Sequence, residues 1–553
     1  MLENVLNIKK LLQHYRMMTV FCRFSLSLQR FYPAPICCHG FFFILLFGIS
    51  LFNTDSGLYA EPVIVGASPA NEATVVTLPD GRHKIYYINR PGDADRLMSI
   101  ESADGAEWSK PSVEFRLPGE AYYANRVFVS KDGTVHCVFH IWNTGELGYR
   151  GRQLDLWYTR QQPGKNWAVP EKIFEGYVGS IRSFTELQSG RIIFSFGKAV
   201  PERVAKPEEG EADFGWNEVI SMYSDDAGGQ WNYSNALRIQ IDSEKTTRYG
   251  AVEPDVVELE PGLVWMLIRT NKGFLYESYS HDAGSSWSEP RPSPFISSDS
   301  PAAFLRLRDG RLVLFLNMNQ RWDDPNSYAF GGREVLHAAI SNDNGKTWKG
   351  FREVLNVYCA GDAQAKGDRG TAYPSATETS EGEIILVSGQ GESRSIVMVD
   401  PNWLESENQV KKEDCSTGAK PAPELFFHFA ARDKGAIHLN LALPRGLSGL
   451  RLGLSDHYTV PGDSLVYENA IVSHTWATHE PALKSSQLGI EWDLKNQHAN
   501  LYVNGVLVKT LKVQKTSRWG INYLRIQCLD LDGQPVVPAD WDFVKNANKN
   551  NII

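Results

Sequence analysis

Three residues with chemically useful side chains occupy matching places in the sequence. Glu72, Glu253 and Tyr373 each stand nine residues before the glycine of a predicted hairpin, at positions 81, 262 and 382. A phenol has a pKa of about 10 and is a poor nucleophile at neutral pH unless a carboxylate within hydrogen-bond reach accepts its proton. Whether these side chains meet depends on the elements that carry them.

A turn motif repeats along the chain. The pattern Ser-x-Asp-x-Gly-x-x-Trp occurs three times, at Ser224–Trp231, Ser280–Trp287 and Ser341–Trp348. Ser and Asp bond backbone N–H groups, Gly takes a backbone conformation that other residues avoid, and Trp packs the turn against a sheet. Two weaker copies end at Trp108 and Trp167, with Ala103 and Gln162 at the aspartate position. The tryptophans are 59, 64, 56 and 61 residues apart, which indicates one structural unit per repeat.

Six segments, from ATVVTLPDGRHKIYYI to PSATETSEGEIILVS, place a glycine turn between two strand-like runs. Six four-stranded sheets around one axis form a β-propeller, in which the first strand of each blade lines a central funnel. The chain is therefore predicted to be all-β. We expect a six-bladed propeller at residues 61–404, a polar linker at 405–423 and a smaller, jelly-roll-like β-sandwich at 424–545.

The predicted sandwich contains the segment YVNGVLV. Its Asn504-Gly505 pair, flanked by apolar alternation, is the strongest short signal for a hairpin. The segment resembles the inner hairpin of laminin-G or lectin-like modules. That resemblance implies either carbohydrate binding or a lid or stabilising role for the propeller.

Residues 1–60 differ from the rest of the chain. Five basic residues precede an apolar run at 40–52, which is too short to span a bilayer comfortably and is typical of a secretory signal. We expect a secreted, periplasmic or cell-surface protein without stable membrane insertion after leader removal, although a signal anchor is an alternative. Removing five basic and two acidic residues changes the net charge from −9 to −12, which argues against nucleic acid as a partner.

The repeats and strand openings between residues 65 and 400 resemble the sialidase (neuraminidase) superfamily, whose six-bladed propellers carry these turns as Asp boxes. The resemblance implies that Tyr373 is the nucleophile of a retaining glycosidase and that Glu253 assists it. It also implies that Arg269 and Arg333 are two of three arginines that hold the substrate carboxylate, because a guanidinium matches a carboxylate with two hydrogen bonds.

The first arginine of the family pattern is missing. Sialidases usually open blade one with Phe-Arg-Ile-Pro, whereas this chain has PANEATVVTLPDG, with Asn71 or Glu72 in place of the arginine. Glu72 is therefore a candidate substrate contact. Arg126 and Arg182 open the inner strands of blades two and three, and either is a candidate replacement for the missing arginine.

The segment INRPGDAD follows the first hairpin. By resemblance it supplies Arg90 as an additional pocket arginine and Asp93 or Asp95 as the general acid, with Asp95 preferred. Burial under the substrate would have to raise the pKa of that acid. The chemistry needs no metal or organic cofactor, and the cysteines that follow the leader are too widely spaced to suggest zinc.

The resulting expectation is an exo-α-sialidase-like glycoside hydrolase that removes terminal sialic or related nonulosonic acids from a glycan or glycoconjugate. One alternative is a lyase or hydrolase of uronic-acid or sulfated polysaccharide, which the missing arginine favours. Another is a glycan-binding propeller without catalysis. The oligomeric state is left open.

Overall fold

The computed structural model describes residues 59–538 and 544–546, apart from internal gaps at 90–93, 143–146, 149, 204–205, 207, 209, 211–214, 241–250, 323–331, 358–368, 407–409, 415–423, 443–446, 448 and 477–485. The predicted leader therefore lies almost entirely outside the described residues. Strands dominate the described part, with short α-helices at α1 (Pro401–Glu405) and α2 (Val466–Asn469). No helix within these ranges is long and apolar enough to cross a membrane.

Six four-stranded antiparallel sheets form the blades of a propeller, as the sequence predicted. Their strands are β2 (Thr74–Thr77), β3 (His83–Ile88), β4 (Arg96–Ser102) and β5 (Ser112–Arg116) in blade one; β6 (Ala121–Val129), β7 (Val135–Trp142), β8 (Leu154–Gln161) and β9 (Glu171–Phe174) in blade two; β10 (Ser183–Glu186), β11 (Ile192–Val200), β12 (Trp216–Ser224) and β13 (Asn232–Tyr233) in blade three; β14 (Val252–Glu260), β15 (Leu263–Arg269), β16 (Phe274–Ser280) and β17 (Arg291–Ile296) in blade four; β18 (Ala303–Arg306), β19 (Leu312–Leu316), β21 (Val335–Ser341) and β22 (Lys349–Asn356) in blade five; and β23 (Ser375–Glu378), β24 (Ile384–Ser388), β25 (Ser395–Val399) and β1 (Val63–Gly66) in blade six.

Blade six is completed by the first strand of the described chain. Strand β1 pairs antiparallel with β25, with Val63 opposite Met398 and Ile64 opposite Val397. The sixth hairpin was predicted from the sequence without this outer strand. Strand β1 covers an edge of β25 that would otherwise expose unpaired backbone groups. Its hydrogen bonds also join the two ends of the propeller.

Carboxylates connect neighbouring blades at the far ends of three inner strands. A glutamate four residues before the hairpin glycine accepts a hydrogen bond from the backbone N–H of a hairpin residue in the preceding blade. The three pairs are Lys131 N to Glu186 Oε2 (2.8 Å), Gln188 N to Glu258 Oε2 (2.6 Å) and Arg308 N to Glu378 Oε2 (2.7 Å). At the contact between blades one and two, the corresponding residues are Pro79, which has no N–H, and Val129, whose side chain has no acceptor.

The Asp boxes close as tight turns. In the copy at blade three, Asp226 Oδ1 accepts the backbone N–H groups of Gly229 and Gln230 at 2.9 and 2.8 Å, and Ser224 Oγ donates to the same carboxylate at 2.7 Å. These hydrogen bonds hold the pKa of Asp226 below its usual value, with the backbone N–H of Gln230 as the largest cause.

The assignment of Ala103 to the aspartate position of the first weak copy is wrong. Asp104 fills that role, because its Oδ1 accepts the backbone N–H groups of Ala106 and Glu107, both at 3.0 Å. Ser102 Oγ donates to the same oxygen at 3.1 Å. Asp104 is followed directly by the turn glycine, so this box is one residue shorter and a fixed spacing places the aspartate incorrectly.

The C-terminal part consists of two five-stranded sheets. One contains β26 (Val410–Asp414), β27 (Glu424–Arg432), β35 (Ile521–Leu529), β29 (Gly449–Ser455) and β31 (Val472–Trp476), and the other β34 (Val506–Lys512), β33 (His498–Val503), β32 (Ser486–Asp493), β28 (Lys434–Leu441) and β36 (Val544–Asn546). Their facing apolar side chains form one core. This is the β-sandwich that the sequence predicted after the propeller.

Two of the sequence predictions concern the sandwich and the chain just before it. The predicted linker at 405–423 contains β26, so that part of the prediction is wrong; this strand pairs with β27 and extends its sheet. The Asn504-Gly505 hairpin is confirmed, with φ of 51° and 79° at the two turn residues. Positive φ at both central residues gives the turn that matches the twist of paired strands.

One short pair of strands joins the propeller to the sandwich. Strand β20 (Asn319–Gln320), between β19 and β21 of blade five, pairs in parallel with β30 (Tyr458–Thr459) of the sandwich. Blade five is therefore hydrogen-bonded directly to the second domain.

The shortened Asp box gives a prediction about stability. We expect Asp104→Ala to lower the free energy of unfolding by about 1–3 kcal/mol, because two backbone N–H groups lose a charged acceptor. Urea unfolding, followed by tryptophan fluorescence, measures this change. Glu107→Ala is the control, since that side chain lies exposed on the same turn. Equal effects of the two substitutions would contradict the assignment.

Candidate active site

The three residues at matching strand openings also share a backbone conformation. Glu72, Glu253 and Tyr373 have φ of 55°, 47° and 66°, in the left-handed region that residues other than glycine rarely adopt. Such conformations cost about 1–3 kcal/mol each and persist only where the surrounding structure enforces them. All three side chains are buried. The correspondence predicted by counting back from the hairpin glycines therefore extends to the backbone.

Tyr373 and Glu253 form a buried phenol–carboxylate pair across blades six and four. The Tyr373 hydroxyl donates to Glu253 Oε1 at 3.0 Å. Burial, followed by the negative charge of Glu253, raises the pKa of Tyr373 well above its usual value. The phenol therefore keeps its proton at neutral pH and directs it at the carboxylate that can accept it.

Arg269 binds both members of this pair. Its Nη1 donates to Glu253 Oε2 at 2.5 Å and to the Tyr373 oxygen at 3.1 Å, and its Nε donates to Asp299 Oδ1 at 2.6 Å. Burial by itself lowers the pKa of Arg269, but the charges of Asp299 and Glu253 outweigh burial and raise it well above the usual value. Arg269 is therefore a permanent cation between the base and the nucleophile oxygen.

Two further guanidinium groups lie beside the ring of Tyr373. The guanidinium carbons of Arg182 and Arg333 are 5.1 and 5.4 Å from the ring centroid, within the range of a cation–π interaction. Arg333 is held by donating from Nη1 to Gln390 Oε1 at 3.0 Å and from Nη2 to the backbone oxygen of Asp299 at 2.9 Å. The structure thus brings Arg182, Arg269 and Arg333 together around one phenol.

Glu72 occupies the place of the missing arginine and lies beside Arg182. Ser180 Oγ donates to Glu72 Oε2, and Arg182 Nη1 is 3.8 Å from the same oxygen. Arg182 is further fixed by donating from Nη2 to the backbone oxygen of Pro374 at 2.6 Å. The opening of blade one therefore contributes a negative charge to the pocket, and the neighbouring blade three contributes the arginine.

Arg126 and Asp255 lie deeper, at the central channel. The channel has a volume of about 430 Å³ and is lined by the inner strands of all six blades. Burial and the nearby charge of Arg182 lower the pKa of Arg126 to about 9, whereas burial raises the pKa of Asp255 to about 6. Asp255 accepts the backbone N–H groups of Val256 and Phe304 at 2.9 and 2.7 Å. Arg126 is therefore close enough to Arg182 and Asp255 for the three charges to affect one another.

Asp95, the preferred candidate for the general acid, is bound to two arginines. Asp95 Oδ1 accepts from Arg96 Nε at 2.9 Å and Asp95 Oδ2 accepts from Arg116 Nη1 at 2.6 Å, on the outer strands of blade one. The hydrogen bond from Arg96 is the largest cause of a lowered pKa at Asp95, the opposite of what a general acid needs. The other residues predicted from this segment, Arg90 and Asp93, lie outside the described residues.

Several residues of the site were not predicted. Asp299 lies in the polar segment SSDS just before the inner strand of blade five, and Asp255 lies on β14, two residues after Glu253. Their closeness in sequence to the opening of an inner strand was the available signal. Gln390 and Ser180 lie in loops, and their sequence context offers no comparable signal.

Comparisons with known proteins agree with the propeller. Residues 119–386 match the family model described as "BNR repeat-like domain". This span includes Glu253, Arg269, Arg333 and Tyr373. The match places BNR-type repeats within the six four-stranded sheets and agrees with the resemblance to the sialidase superfamily that the Asp boxes indicated. No sequence among the curated proteins matches the chain.

Solved structures of similar fold include sialidases. A protein of unknown function from Dyadobacter fermentans is 18% identical, with 62% of this chain and 97% of that chain covered and a TM-score of 0.43. The Hadza microbial sialidase Hz136 is 16% identical, with 60% and 65% covered and a TM-score of 0.43. Trypanosoma rangeli sialidase in complex with sialic acid is 13% identical, with 88% and 90% covered and a TM-score of 0.41. These identities are too low to transfer an activity to this chain.

The buried Asp255 predicts a pH dependence of stability. Its pKa is about 6 in the folded protein against 3.8 for an ordinary aspartate, so the associated stabilisation is complete below pH 3.8 and is lost as the pH rises through 6. We expect wild type to lose roughly 3 kcal/mol relative to Asp255→Asn over that interval, since a tenfold change in proton affinity is worth about 1.4 kcal/mol.

Urea unfolding of both proteins between pH 4 and pH 8 measures the difference. Titration of other groups is common to both proteins and cancels in the comparison. If the free energies of unfolding of wild type and Asp255→Asn change with pH in parallel, the pKa of Asp255 in the folded protein is that of an ordinary aspartate.

Proposed function

We propose that this chain is a secreted or cell-surface, retaining exo-α-sialidase-like glycoside hydrolase that acts on terminal sialic or related nonulosonic acids of glycans or glycoconjugates. The observation that carries this proposal is the buried hydrogen bond from Tyr373 to Glu253, surrounded by the guanidinium groups of Arg182, Arg269 and Arg333. A protonated phenol with a built-in base suits nucleophilic attack, and several arginines suit an anionic sugar.

In the proposed reaction, the Tyr373 oxygen attacks the anomeric carbon while Glu253 accepts the phenolic proton. The bond to the leaving oxygen breaks, and that oxygen receives a proton from an acid. Water then attacks the anomeric carbon of the covalent sugar–tyrosine intermediate and gives a proton to the carboxylate left by that acid, while the bond to the tyrosine oxygen breaks and protonated Glu253 returns its proton to that oxygen. Two displacements at one carbon leave the configuration of the product unchanged.

Arg269 supports both roles of the Tyr–Glu pair. Its contact with Glu253 compensates the buried negative charge, and its contact with the Tyr373 oxygen favours the phenoxide that develops during attack. A Tyr–Glu–Arg cluster also repels an incoming sugar carboxylate less than an isolated carboxylate nucleophile would. Arg333, beside the same ring, is the second proposed contact for that carboxylate.

The acid that protonates the leaving oxygen is proposed to be Asp95 or Asp93. Asp95 is bound to Arg96 and Arg116 and its pKa is lowered, so it would have to leave these arginines and be buried by the substrate before it could donate a proton. A specific observation also favours a second function, the cleavage of uronic-acid or sulfated polysaccharide. Glu72 replaces the arginine that opens blade one in sialidases, which makes the pocket less selective for a sialic acid carboxylate.

The first activity prediction concerns Tyr373→Phe. With a fluorogenic aryl α-sialoside, we expect kcat to fall about a thousandfold or more, because the nucleophile is removed while the ring stays in place. Glu253→Gln should lower kcat about a hundredfold or more, since the phenol loses its base. Tyr233→Phe is the matched control on the outer strand of blade three and should retain full activity.

The outcomes separate the three candidate functions. Sialoside turnover that survives Tyr373→Phe would overturn the mechanism. If a folded wild type cleaves no sialoside, an aryl uronide and uronic-acid polysaccharides test the second function, with ultraviolet absorbance reporting the double bond made by a lyase. Binding of glycans without any turnover would indicate a propeller that lacks catalysis.

The second activity prediction concerns stereochemistry. Proton NMR during hydrolysis of an α-sialoside should show the α-anomer of the free sugar first, with the β-anomer appearing later by mutarotation, because the proposed mechanism retains configuration. A β-anomer formed first would require direct attack by water and would exclude Tyr373 as the nucleophile.

A further inference from the structure

The sandwich contacts the propeller mainly at blade five. Besides the pairing of β20 with β30, the backbone N–H of Tyr458 donates to Met318 O at 2.9 Å, and the backbone N–H of Trp322 donates to Asp463 Oδ2 at 2.5 Å. Asn522 Nδ2 donates to the backbone oxygen of Phe351, on the outer strand of the same blade, at 2.9 Å. The contacts to Met318 and Trp322, with the β20–β30 pairing, hold residues 318–322, which follow β19.

Buried polar side chains make a second connection. The Tyr523 hydroxyl, on β35 of the sandwich, donates to Glu353 Oε1 and lies 2.7 Å from His337 Nε2. His337 Nδ1 accepts the backbone N–H of Met318 at 3.3 Å. Because burial lowers the pKa of His337 to about 3, this histidine stays neutral, which is the form in which Nδ1 can accept and Nε2 can donate.

The segment 317–320 is also connected to the candidate active site. Asn317 Oδ1 accepts from Ser300 Oγ at 2.6 Å, and Asn317 O accepts the backbone N–H of Ser298 at 3.0 Å, so this asparagine holds both neighbours of Asp299. Asn317 Nδ2 donates to Val335 O at 2.7 Å and to Thr371 Oγ1 at 3.0 Å.

The connection continues to Arg333 and Arg269. The Thr371 hydroxyl donates to Arg333 O at 3.0 Å, and the Thr371 backbone N–H donates to the same oxygen at 2.7 Å. Asp299, in turn, accepts from Arg269 Nε at 2.6 Å and from Arg333 Nη2 through its backbone oxygen at 2.9 Å. Segment 317–320 therefore lies between the sandwich and two arginines of the pocket, with a described hydrogen bond at each step.

We infer that the sandwich is a structural component of the active site, in which Tyr523 and Asp463 are positioning residues that fix segment 317–320 and, through it, Asp299 and Arg333. This goes beyond the sequence-based alternatives of carbohydrate binding, a lid or general stabilisation. Its effect on catalysis depends on the proposed function, because Arg333 and Arg269 are the proposed contacts of the substrate carboxylate. Tyr373 belongs to blade six and contacts this path through Arg269, whose Nη1 donates to its hydroxyl at 3.1 Å.

If this inference is correct, a substitution of Tyr523 should change KM more than kcat. In Tyr523→Phe, the hydroxyl that joins His337 and Glu353 is removed while the ring stays. We expect KM for an aryl α-sialoside to rise about three- to tenfold and kcat to fall by a smaller factor, because the altered contacts position Asp299 and Arg333, whereas Arg269 keeps its bond to Glu253 next to the nucleophile. A merely structural role would lower Tm and leave KM unchanged.

Hydrogen exchange gives a test that needs no activity. In the full-length protein, peptides that cover residues 317–322 and 332–337 should exchange faster in Tyr523→Phe than in wild type, while peptides from blade two should not change. Tyr467→Phe is the matched control, since this buried tyrosine of the sandwich packs on Gly453 and Arg451 inside its own domain. Asp463→Ala removes the contact to Trp322 independently and serves if Tyr523→Phe does not fold.

The outcomes distinguish this inference from the proposed function. Faster exchange in segment 317–320 together with a raised KM supports both. Faster exchange in a protein whose wild type cleaves no sialoside supports the positioning role and refutes the proposed substrate. Unchanged exchange and unchanged KM in both interface variants, with an active wild type, overturn the inference.

Discussion

One guanidinium group holds the candidate site together. Arg269, at the end of β15 in blade four, binds Glu253 of its own blade, Asp299 before blade five and Tyr373 before blade six. Without this cation, two buried carboxylates would face each other without compensation, at a cost of several kcal/mol. The arrangement exists only if blades four, five and six are neighbours in a closed ring. Pairing of β1 with β25 completes blade six, the blade that Tyr373 opens.

The charges of the pocket are close to balance. Arg126, Arg182, Arg269 and Arg333 meet four carboxylates, at positions 72, 253, 255 and 299. Glu72 contributes one of these where the sialidase pattern has an arginine, and it lies beside Arg182. A balanced pocket attracts an anionic substrate less strongly than one with an unopposed third arginine. Recognition of an anionic substrate must then depend more on the direction of the guanidinium N–H groups than on net charge. The contacts that fix the direction of Arg333 are therefore important for recognition.

Repetition made most of this structure predictable from the sequence. The hairpin spacing gave six blades, and counting back from the hairpin glycines found Glu253 and Tyr373, which the structure brings to 3.0 Å. Features that depend on a distant partner were missed, including the strand that closes blade six and the role of Asp299. The ion pairs of Asp95 were missed for a related reason: a loop aspartate gives no indication in sequence that Arg116, on another strand, will bind it. Asp104 was missed because a turn one residue shorter keeps its hydrogen bonds but not its spacing.

The two ends of the inner strands carry residues with different roles. At the openings, Glu72, Glu253 and Tyr373 adopt left-handed conformations that cost free energy, and charged groups are buried beside them. At the opposite ends, glutamates at 186, 258 and 378 accept backbone N–H groups from the preceding blades. A strained opening persists only where neighbouring blades cannot shift to relieve it. Glu258 and Glu378 lie on the strands that Glu253 and Tyr373 open, so blades four and six combine a fixed end with a strained opening, whereas blade one, which Glu72 opens, has Thr77 at the matching position. The sandwich likewise holds blade five, from outside the ring.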